Sequence, residues 1–426
     1  MSHQHGKTMK LIKSFRGLRP TRDLAADIAS HPYDVLSREE AFALANDNPL
    51  SFLHVNKPEV DVAFEVSAYD PSVYAKGREN LDKFIEQGAF VRDKKDSLYV
   101  YRQVMGDHTQ TGIVAVASVD AYEADLIRKH EFTRPDKEED RVQHMDALGA
   151  QVGPVFVTYQ ARARINALVA ELVLNDPEYD FQAEDGTYHT FWVVHDDEVI
   201  ASIESAINDL ECLYVADGHH RSAAASRVRT FSRERNPDHT GDESYNFFLV
   251  VLFPHDQMQI LDYNRIIKDF GDKTTQEFLE ELGVHFDIKP LENASKAKPL
   301  APQQFGLYLQ NQWFRLELRE LRSPGTKQGD PVNSLDVSIL QDIILGPILN
   351  IHDQRSDKRV DFVGGIRGLE ELERRVDSGQ WQAAIALYPT SIGSLMSVAD
   401  AGEVMPPKST WFEPKLKSGL IVHVLD

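Results

Sequence analysis

Apolar and polar residues alternate with two different periods along the chain, and this predicts both strands and helices. The helical period marks residues 74–87 and 219–234. A further helix is expected after Ser37-Arg38-Glu39-Glu40, which has the spacing of a capping box and should start a helix that runs through Ala45. Thr133-Arg134-Pro135 should open a charged helix that continues to about Ala150, with proline in the favourable first turn. Strands are predicted at 97–104, 111–119, 153–159, 212–216 and 245–253.

The predicted strands at 97–104 and 111–119 are expected to pair as a β-hairpin, because the turn-like Gly106-Asp107-His108 separates them. In the last third of the chain the pattern predicts helices at 274–282 and near 335–349 and strands near 305–318, 383–387 and 420–425. Residues 289–302 contain lysine and proline and are predicted to form a linker.

The length of 426 residues exceeds what one hydrophobic core usually supports, so more than one domain is expected. The order of elements predicts an α/β or α+β fold with mixed sheets. We predict an N-terminal α/β domain over residues 1–290 and a second α/β domain over residues 291–426.

Composition narrows the possible functions. The net charge of -21 arises from 67 acidic and 46 basic residues. The average surface is therefore negative and repels nucleic acid and anionic lipid headgroups. We therefore expect neither a nucleic-acid nor a membrane partner. The chain has no run of about 18 apolar residues, and residues 1–10 lack the apolar stretch of a signal peptide, so a cytoplasmic location is expected. The single cysteine, Cys212, cannot form an intramolecular disulfide or a cysteine zinc site and is expected in the core.

The segment from residue 215 to 221 has the strongest chemical signal. A strand followed by Asp217-Gly218 and a helix that begins at His219 directs unpaired N–H groups towards one point, where an anion is stabilised. Arg221 can bind phosphate oxygens, and Asp217 can hold magnesium or a substrate ammonium or hydroxyl group. His219 and His220 offer donors or a general base. In the alternative interpretation, Asp217 only caps the helix and the histidines are solvated.

A second cluster of charge lies between His130 and His144. Nine of the twelve residues from His130 to Arg141 are ionisable. A solvated, salt-bridged helix face is the ordinary explanation of such a run. Alternatively, Glu131 accepts a proton from a substrate, while cationic side chains neutralise phosphate charge; these cations are Arg134, Lys137 and Arg141.

Three further segments carry weaker signals. Asp34 precedes a predicted helix and could either form a turn or bind substrate. Lys408, in the proline-rich 403–410 segment, could bind an anion or belong to a packed loop. The glycine-rich residues 364–368 lack the spacing of a dinucleotide or Walker loop and are predicted to be a turn.

Several motifs resemble one family along nearly the full length of the chain. The nine residues from Ala216 to Ala224 resemble the Gly-x-x-Arg box of the ParB and sulfiredoxin superfamily, which binds nucleotide phosphates. The chain as a whole is identified as a member of the bacterial family called domain of unknown function 1015. The segments that carry this resemblance are 15–20, 32–37, 128–131 and 399–410. The superfamily includes kinases of free L-serine, CTP-hydrolysing DNA clamps and sulfiredoxins that use ATP.

The resemblance implies a ParB/sulfiredoxin-like nucleotide-binding core and a phosphotransferase that depends on magnesium and on ATP or ADP. Its expected acceptor is a small hydroxylated metabolite, with free L-serine as the first candidate. The expected catalytic residues are Glu131, Asp217, His220 and Asp34, and Asp217 would also contact the metal. The expected nucleotide-binding residues are Gly218, His219, Arg221, Arg134, Lys137, Arg141 and Lys408. The sequence leaves the oligomeric state open.

Two other classes of function stay open. A metal-dependent hydrolase could bind zinc or manganese with Asp217 and a set of histidines. Adjacent histidines on a helix point in different directions, which weakens this hypothesis; the histidines concerned are His219, His220, His130 and His144. A non-enzymatic nucleotide-binding protein is disfavoured by the net charge. For the phosphotransferase, we predict that residues 217–221 line a pocket and that His130, Glu131 and Arg134 converge on it.

Overall fold

The computed structural model describes residues 9–320 and 330–426. Its strands are β1 (Ile12–Lys13), β2 (Leu18–Pro20), β3 (Phe90–Arg92), β4 (Leu98–Met105), β5 (His108–Ser118), β6 (Ile127–Arg128), β7 (Ala150–Gln151), β8 (Val155–Tyr159), β9 (Tyr179–Gln182), β10 (Tyr188–Val194), β11 (Leu213–Asp217), β12 (Phe247–Pro254), β13 (Ile260–Leu261), β14 (Tyr263–Ile267), β15 (Phe286–Pro290), β16 (Gln304–Leu309), β17 (Gln312–Leu318), β18 (Val360–Gly364), β19 (Ala383–Ala386), β20 (Trp411–Phe412) and β21 (His423–Val424).

The helices alternate with these strands along the chain. They are α1 (Ala25–Ile28), α2 (Arg38–Asn46), α3 (Leu53–Asn56), α4 (Pro71–Glu86), α5 (Val119–Glu123), α6 (Pro135–Leu148), α7 (Ala163–Leu172), α8 (Asp197–Asn208), α9 (His219–Arg235), α10 (Thr275–His285), α11 (Asp336–Ile339), α12 (Gly368–Asp377) and α13 (Ile392–Asp400). A π-helical turn, Leu340–Leu345, continues α11. Within the described residues, no helix has the length and apolar character needed to cross a bilayer.

The chain divides into two compact units. The first contains the residues up to Met258 together with Pro414–Asp426, and the second contains Gln259–Glu413. The predicted boundary at residue 290 falls inside the second unit. The predicted linker at 289–302 begins within strand β15, which pairs with β17 in the second unit. The chain also returns to the first unit after Glu413, which the sequence pattern did not indicate.

A mixed sheet of nine strands forms the centre of the first unit. Eight strands follow the order β6-β11-β8-β12-β5-β4-β10-β9, and β1 pairs with β5. The β6–β11 and β8–β12 pairs are parallel, and the others are antiparallel. Nearly all residues of β5 and β12 are buried, as expected for strands covered on both faces. This sheet places the end of β11, and therefore Asp217, beside β8.

The second unit has its own sheet of six antiparallel strands, in the order β15-β17-β16-β19-β14-β18. Helix α12 packs on this sheet through Leu372 and Val376, which share an apolar cluster with Ile266 and Trp313. The large mixed sheet of the first unit and this antiparallel sheet confirm the predicted α/β class with mixed sheets.

Local sequence signals account for several of these elements. The capping box at Ser37 and Glu40 is present at the start of α2. The β4–β5 hairpin closes at the Met105–His108 pair, so that Gly106 and Asp107 form its two-residue turn. Cys212 is buried as predicted. The first eight residues, for which the sequence predicts no signal peptide, lie outside the described residues.

Candidate functional site

A tight turn joins the end of β11 to the start of α9. Gly218 adopts φ +99°, a conformation that residues with a side chain rarely take. A Cβ atom on Gly218 would lie 3.2 Å from Cζ and Nε of Arg221. Glycine is therefore required both by the backbone conformation and by the close approach of the guanidinium. The turn presents the N-terminal N–H groups of α9, which favour an anion.

Arg221 is held over this turn by protein contacts. Its Nη1 donates to the carbonyl oxygen of Pro154, and its Nη2 lies 4.0 Å from Oδ2 of Asp34. The side chain is only 11% exposed, and its Nε has no hydrogen-bond partner in the described residues. A Cβ atom on Gly153 would lie 3.6 Å from the guanidinium. The guanidinium is thus fixed between two glycines, and one of its donors makes no hydrogen bond to the described residues.

Asp217 already has a cationic partner at the end of β11. Lys415 Nζ donates to its Oδ2 at 2.9 Å. Burial by itself raises the pKa of Asp217, but the charges of Lys415 and Arg221 outweigh it and hold that pKa far below its usual range. Asp217 is therefore an ionised carboxylate beside two cations. Sequence analysis missed Lys415, because only the return of residues 414–426 to the first unit brings it to this site.

A compact group of possible metal ligands lies beside the turn. One ligand atom from each of His130, Glu131 and His219 lies within 4.8 Å of the other two. The rings of the two histidines meet edge to face with centroids 4.5 Å apart. Burial lowers the pKa of His130 to about 4 and that of His219 well below its normal value. Both imidazoles are therefore neutral near pH 7.

The loop before α6 and the start of α9 also meet at His220. The backbone N–H of Arg134 donates to Nε2 of His220 at 3.1 Å. Nε2 consequently acts as an acceptor, and a proton on the neutral ring belongs on Nδ1. Together with the contacts of His130 and Glu131 with His219, this hydrogen bond brings the two predicted motifs together, although they lie almost ninety residues apart in the chain.

A small cavity, open to solvent, adjoins Arg221; the centre of a water-sized molecule can occupy about 30 Å³ of it. Its lining includes Tyr33 and Arg141, whose guanidinium stacks 3.8 Å from the tyrosine ring centroid and donates to Asp140. It also includes Asn56, which is 2% exposed and whose Oδ1 has no hydrogen-bond partner in the described residues. The cavity therefore offers cationic and amide groups to a small polar ligand.

Of the five residues from 217 to 221, only Arg221 lines this cavity. The two histidines contact the 130–134 loop, and Asp217 contacts Lys415. Of the predicted cations Arg134, Lys137 and Arg141, only Arg141 lines the cavity. Arg134 pairs with Asp136 on an exposed face, and Lys137 Nζ donates to the Tyr69 hydroxyl at 2.8 Å.

Three further predicted residues lie at different places in the fold. Asp34 is in a turn between Pro32 and α2, with its side chain 38% exposed and facing Arg221. Lys408 belongs to the second unit, where its carbonyl oxygen accepts from Arg265 at 3.1 Å. A role for Lys408 in nucleotide binding stays a prediction. His144 is buried, and its Nε2 is hydrogen-bonded to the Val55 carbonyl oxygen at 2.9 Å.

Comparison with known proteins identifies the family. The fold is α/β, and the β11–α9 turn places the N-terminus of α9 beside Arg221. A family model described as a protein of unknown function, DUF1015, matches residues 12–338, so the chain belongs to this family. No curated protein matches the chain significantly.

Solved structures with a similar arrangement share little sequence with this chain. A conserved hypothetical protein from Pyrococcus furiosus is 14% identical, with a TM-score of 0.35, and the alignment covers 70% of this chain and 90% of that one. Free serine kinase in complex with AMP is 12% identical, with a TM-score of 0.36, over 72% and 91% of the two chains. SbnI with a C-terminal truncation, from Staphylococcus aureus, is 12% identical, with a TM-score of 0.37, over 70% and 82%.

Proposed function

We propose that this protein is a nucleotide-dependent phosphotransferase that acts on a small hydroxylated metabolite. The observation that carries the proposal is the Arg221 guanidinium, which is fixed over Gly218 at the start of α9 with its Nε donor unused by the protein. A recessed arginine at a helix N-terminus is a phosphate-binding arrangement. The chain as a whole has a net charge of -21, so we attribute a function to this local concentration of positive charge.

The nucleotide phosphates would be bound by Arg221 and by the N–H groups at the start of α9. Lys415, which is held by Asp217, adds a second cation beside them. His220 would orient the 130–134 loop through the N–H of Arg134. ATP and ADP are both compatible with this set of groups.

Magnesium fits the carboxylates that adjoin the phosphate site. Asp34 and Asp217 supply oxygen donors, which Mg²⁺ prefers, and each lies beside Arg221 or Lys415. When bound, the ion would neutralise phosphate charge. The transfer itself needs mainly positioning, cations and one proton acceptor.

The acceptor would occupy the cavity next to Arg221. The lining groups there suit a small molecule with both charged and hydroxyl groups: Arg141 can bind a carboxylate, and the unpartnered Asn56 Oδ1 can accept from an ammonium or hydroxyl group. Free L-serine has all of these groups and is the first acceptor to test. Asp34 lies 4.0 Å from Arg221 and is the favoured base; Glu131 is the alternative.

The first experiment measures nucleotide binding. Calorimetric titration of ATP and ADP with Mg²⁺ should show saturable binding, and Arg221→Ala should weaken it by about 1.5–3 kcal/mol, the usual value of charged hydrogen bonds. Arg164→Ala is the matched control, because Arg164 is an exposed arginine that faces Asp209 across 3.8 Å on another helix of the same unit. Equal losses in both variants would contradict a specific phosphate site at Arg221.

The second experiment measures transfer. Phosphorylated product should form from L-serine or a related hydroxylated metabolite, as followed by phosphorus NMR. If Asp34 is the base, Asp34→Asn should lower turnover by roughly two to four decades with little change in nucleotide affinity, while Glu131→Gln should be much less affected. The reverse result would assign the base to Glu131. If the folded protein neither binds nor consumes any nucleoside di- or triphosphate, the proposed function is wrong.

A further inference from the structure

The cluster of His130, Glu131 and His219 has features that phosphate binding does not explain. Nε2 of His219 and both ring nitrogens of His130 lack a hydrogen bond of normal geometry within the described residues, although the backbone of Val215 is close enough to His130 to raise its pKa against the larger lowering by burial. The two side chains are nevertheless almost completely buried, at 1% and 5% exposure. Buried polar atoms are nearly always satisfied, because an unmade hydrogen bond in the interior costs free energy. Three such atoms next to one another point to a missing ligand.

The geometry of the cluster suits a metal ion. The three ligand atoms lie within 4.8 Å of one another. Atoms that bind one ion at roughly 2.0–2.2 Å are separated by roughly 3–4 Å, so small side-chain rotations would complete the site. Glu131 belongs to the loop before α6, whereas His219 is the first residue of α9, so a bound ion would join two elements of the first unit.

We propose that His130, Glu131 and His219 bind a divalent first-row transition metal ion, such as zinc, cobalt or manganese. Two imidazoles and one carboxylate favour these ions over magnesium and calcium, which prefer oxygen ligands. Three protein ligands leave at least one coordination position for water or substrate. The ligand set differs from the combination considered from the sequence, because the group of adjacent ligand atoms does not include Asp217, His220 or His144. His220 accepts from Arg134, and His144 is bonded to Val55.

This inference does not depend on the proposed phosphotransferase, because the metal can be measured without any nucleotide. Protein treated with a chelator should take up one Zn²⁺ or Co²⁺ per chain, as measured by calorimetry and by elemental analysis after gel filtration. Bound Co²⁺ should give the visible absorption bands of a site with few ligands. Every preparation should carry His3→Gln and His5→Gln, so that the N-terminal histidines contribute no binding of their own.

Variants test the identity of the ligands. His130→Ala and His219→Ala should each reduce affinity by more than about tenfold, since even the loss of an outer-shell partner has effects of this size. Glu131→Gln should weaken binding and change the Co²⁺ spectrum. His108→Gln is the control in the same unit, because this histidine lies at the turn of the β4–β5 hairpin with its Nε2 bonded to Gln110 at 3.3 Å, and its replacement should leave metal affinity unchanged.

Two results would overturn the proposal. One is folded protein that takes up none of the three ions. The other is a metal affinity that is the same in the His130, His219 and Glu131 variants as in the protein with the unsubstituted site. Circular dichroism in the presence of chelator checks that each variant is folded. If an alanine variant does not fold, the asparagine variant at that position and Glu131→Gln decide the result. A nucleotide titration of the same samples tests the phosphotransferase separately.

Discussion

Gly218 at the β11–α9 turn meets two requirements, a left-handed backbone conformation and space for Arg221, and experiments can separate them. Gly218 combines a left-handed backbone with the contact to Arg221, whereas Gly186 has φ +81° with open space around the position that a Cβ atom would take. Both positions therefore disfavour a side chain for conformational reasons, but only Gly218 does so through a functional neighbour.

Replacement of Gly218 by alanine should affect stability and binding together. We expect Gly218→Ala and Gly186→Ala each to lose roughly 1–2 kcal/mol of unfolding free energy from the left-handed conformation. Only Gly218→Ala should also weaken binding of ATP or ADP, because its Cβ displaces the guanidinium. Denaturant unfolding and nucleotide calorimetry measure the two effects. Unchanged nucleotide affinity in Gly218→Ala would show that the position of Arg221 is not critical.

A buried carboxyl group in the second unit predicts a dependence of stability on pH. Asp336 is 8% exposed; its Oδ1 accepts from the Gln303 N–H at 2.8 Å, and its Oδ2 has no hydrogen-bond partner in the described residues. Burial raises the pKa of Asp336 from 3.8 to about 7. Between these values the folded state holds a proton that the unfolded chain has lost. Stability therefore falls as the pH rises from about 4 to 7.

Asp336→Asn should remove this dependence, because asparagine keeps the acceptor and carries no charge. We expect the variant to have a higher unfolding free energy than the unsubstituted protein. This difference in unfolding free energy, the margin, should be about 2 kcal/mol larger at pH 8 than at pH 5.5. Urea unfolding at the two pH values measures the margin. A constant margin would mean that Asp336 ionises normally in the folded protein.

The sequence predicts those residues of the candidate site that are close together in the chain, and it does not predict those that only tertiary contacts bring to the site. The turn at residues 217–221 is local, and strand, glycine and helix signals identify it directly. Asn56 and Lys415 carry no such signal, since they reach the site only through tertiary contacts. The sequence also selected Arg134 and Lys137 by their charge, whereas the side chains pair with Asp136 and Tyr69. The charge of a residue alone does not specify the direction in which its side chain points.

At the scale of elements, short-range signals are reliable where they include turn or cap chemistry. The hairpin at Gly106 and the capping box at Ser37 are both present. Strands β2 and β6 are two or three residues long and have no periodicity to detect. The sequence predicts a linker at the end of strand β15 because Lys289 and Pro290 suit a loop, although the backbone there pairs with β17. Sheet pairing between distant segments is a tertiary effect that overrides local preference.

The capping box on α2 can be tested as an element. Ser37 Oγ accepts from the Glu40 N–H at 3.1 Å, and the Glu40 carboxylate accepts from the Ser37 N–H at 2.8 Å. Arg38, the first residue of α2, donates to the carbonyl oxygens of Glu59 and Val62, so the helix start also contacts the segment around the 3-10 turn Pro58–Asp61. Loss of the cap should loosen both segments.

We expect Ser37→Ala to lower the unfolding free energy by about 1 kcal/mol, the usual value of an N-cap. Ser202→Ala is the control, because this serine donates to a carbonyl oxygen four residues earlier within α8 and should change stability by less than about 0.5 kcal/mol. Urea unfolding compares them. Equal effects would indicate that the cap adds nothing beyond an ordinary exposed hydroxyl.

At the scale of the whole molecule, the two units are built from the chain in different ways. The second unit is one continuous segment, Gln259–Glu413, whereas the first needs Pro414–Asp426 as well. In the first unit the final segment buries Leu420, Ile421 and Val422 at 2%, 3% and 0% exposure. The backbone of Val422 exchanges hydrogen bonds with that of Leu18, and β21 pairs with β7.

A chain that ends at Glu413 should therefore lose the first unit and keep the second. The three buried apolar side chains alone contribute about 1.5–3 kcal/mol each, a sum close to the total stability of many domains. We expect calorimetry of the truncated chain to lack the unfolding transition of the first unit, and limited proteolysis to leave a fragment near residues 259–413. Lys415→Ala is the control, since it removes the side-chain ion pair with Asp217 but leaves the returning segment in the chain, and it should keep both transitions. A truncated chain that retains the transition of the first unit at its original temperature would show that the returning segment is dispensable for that fold.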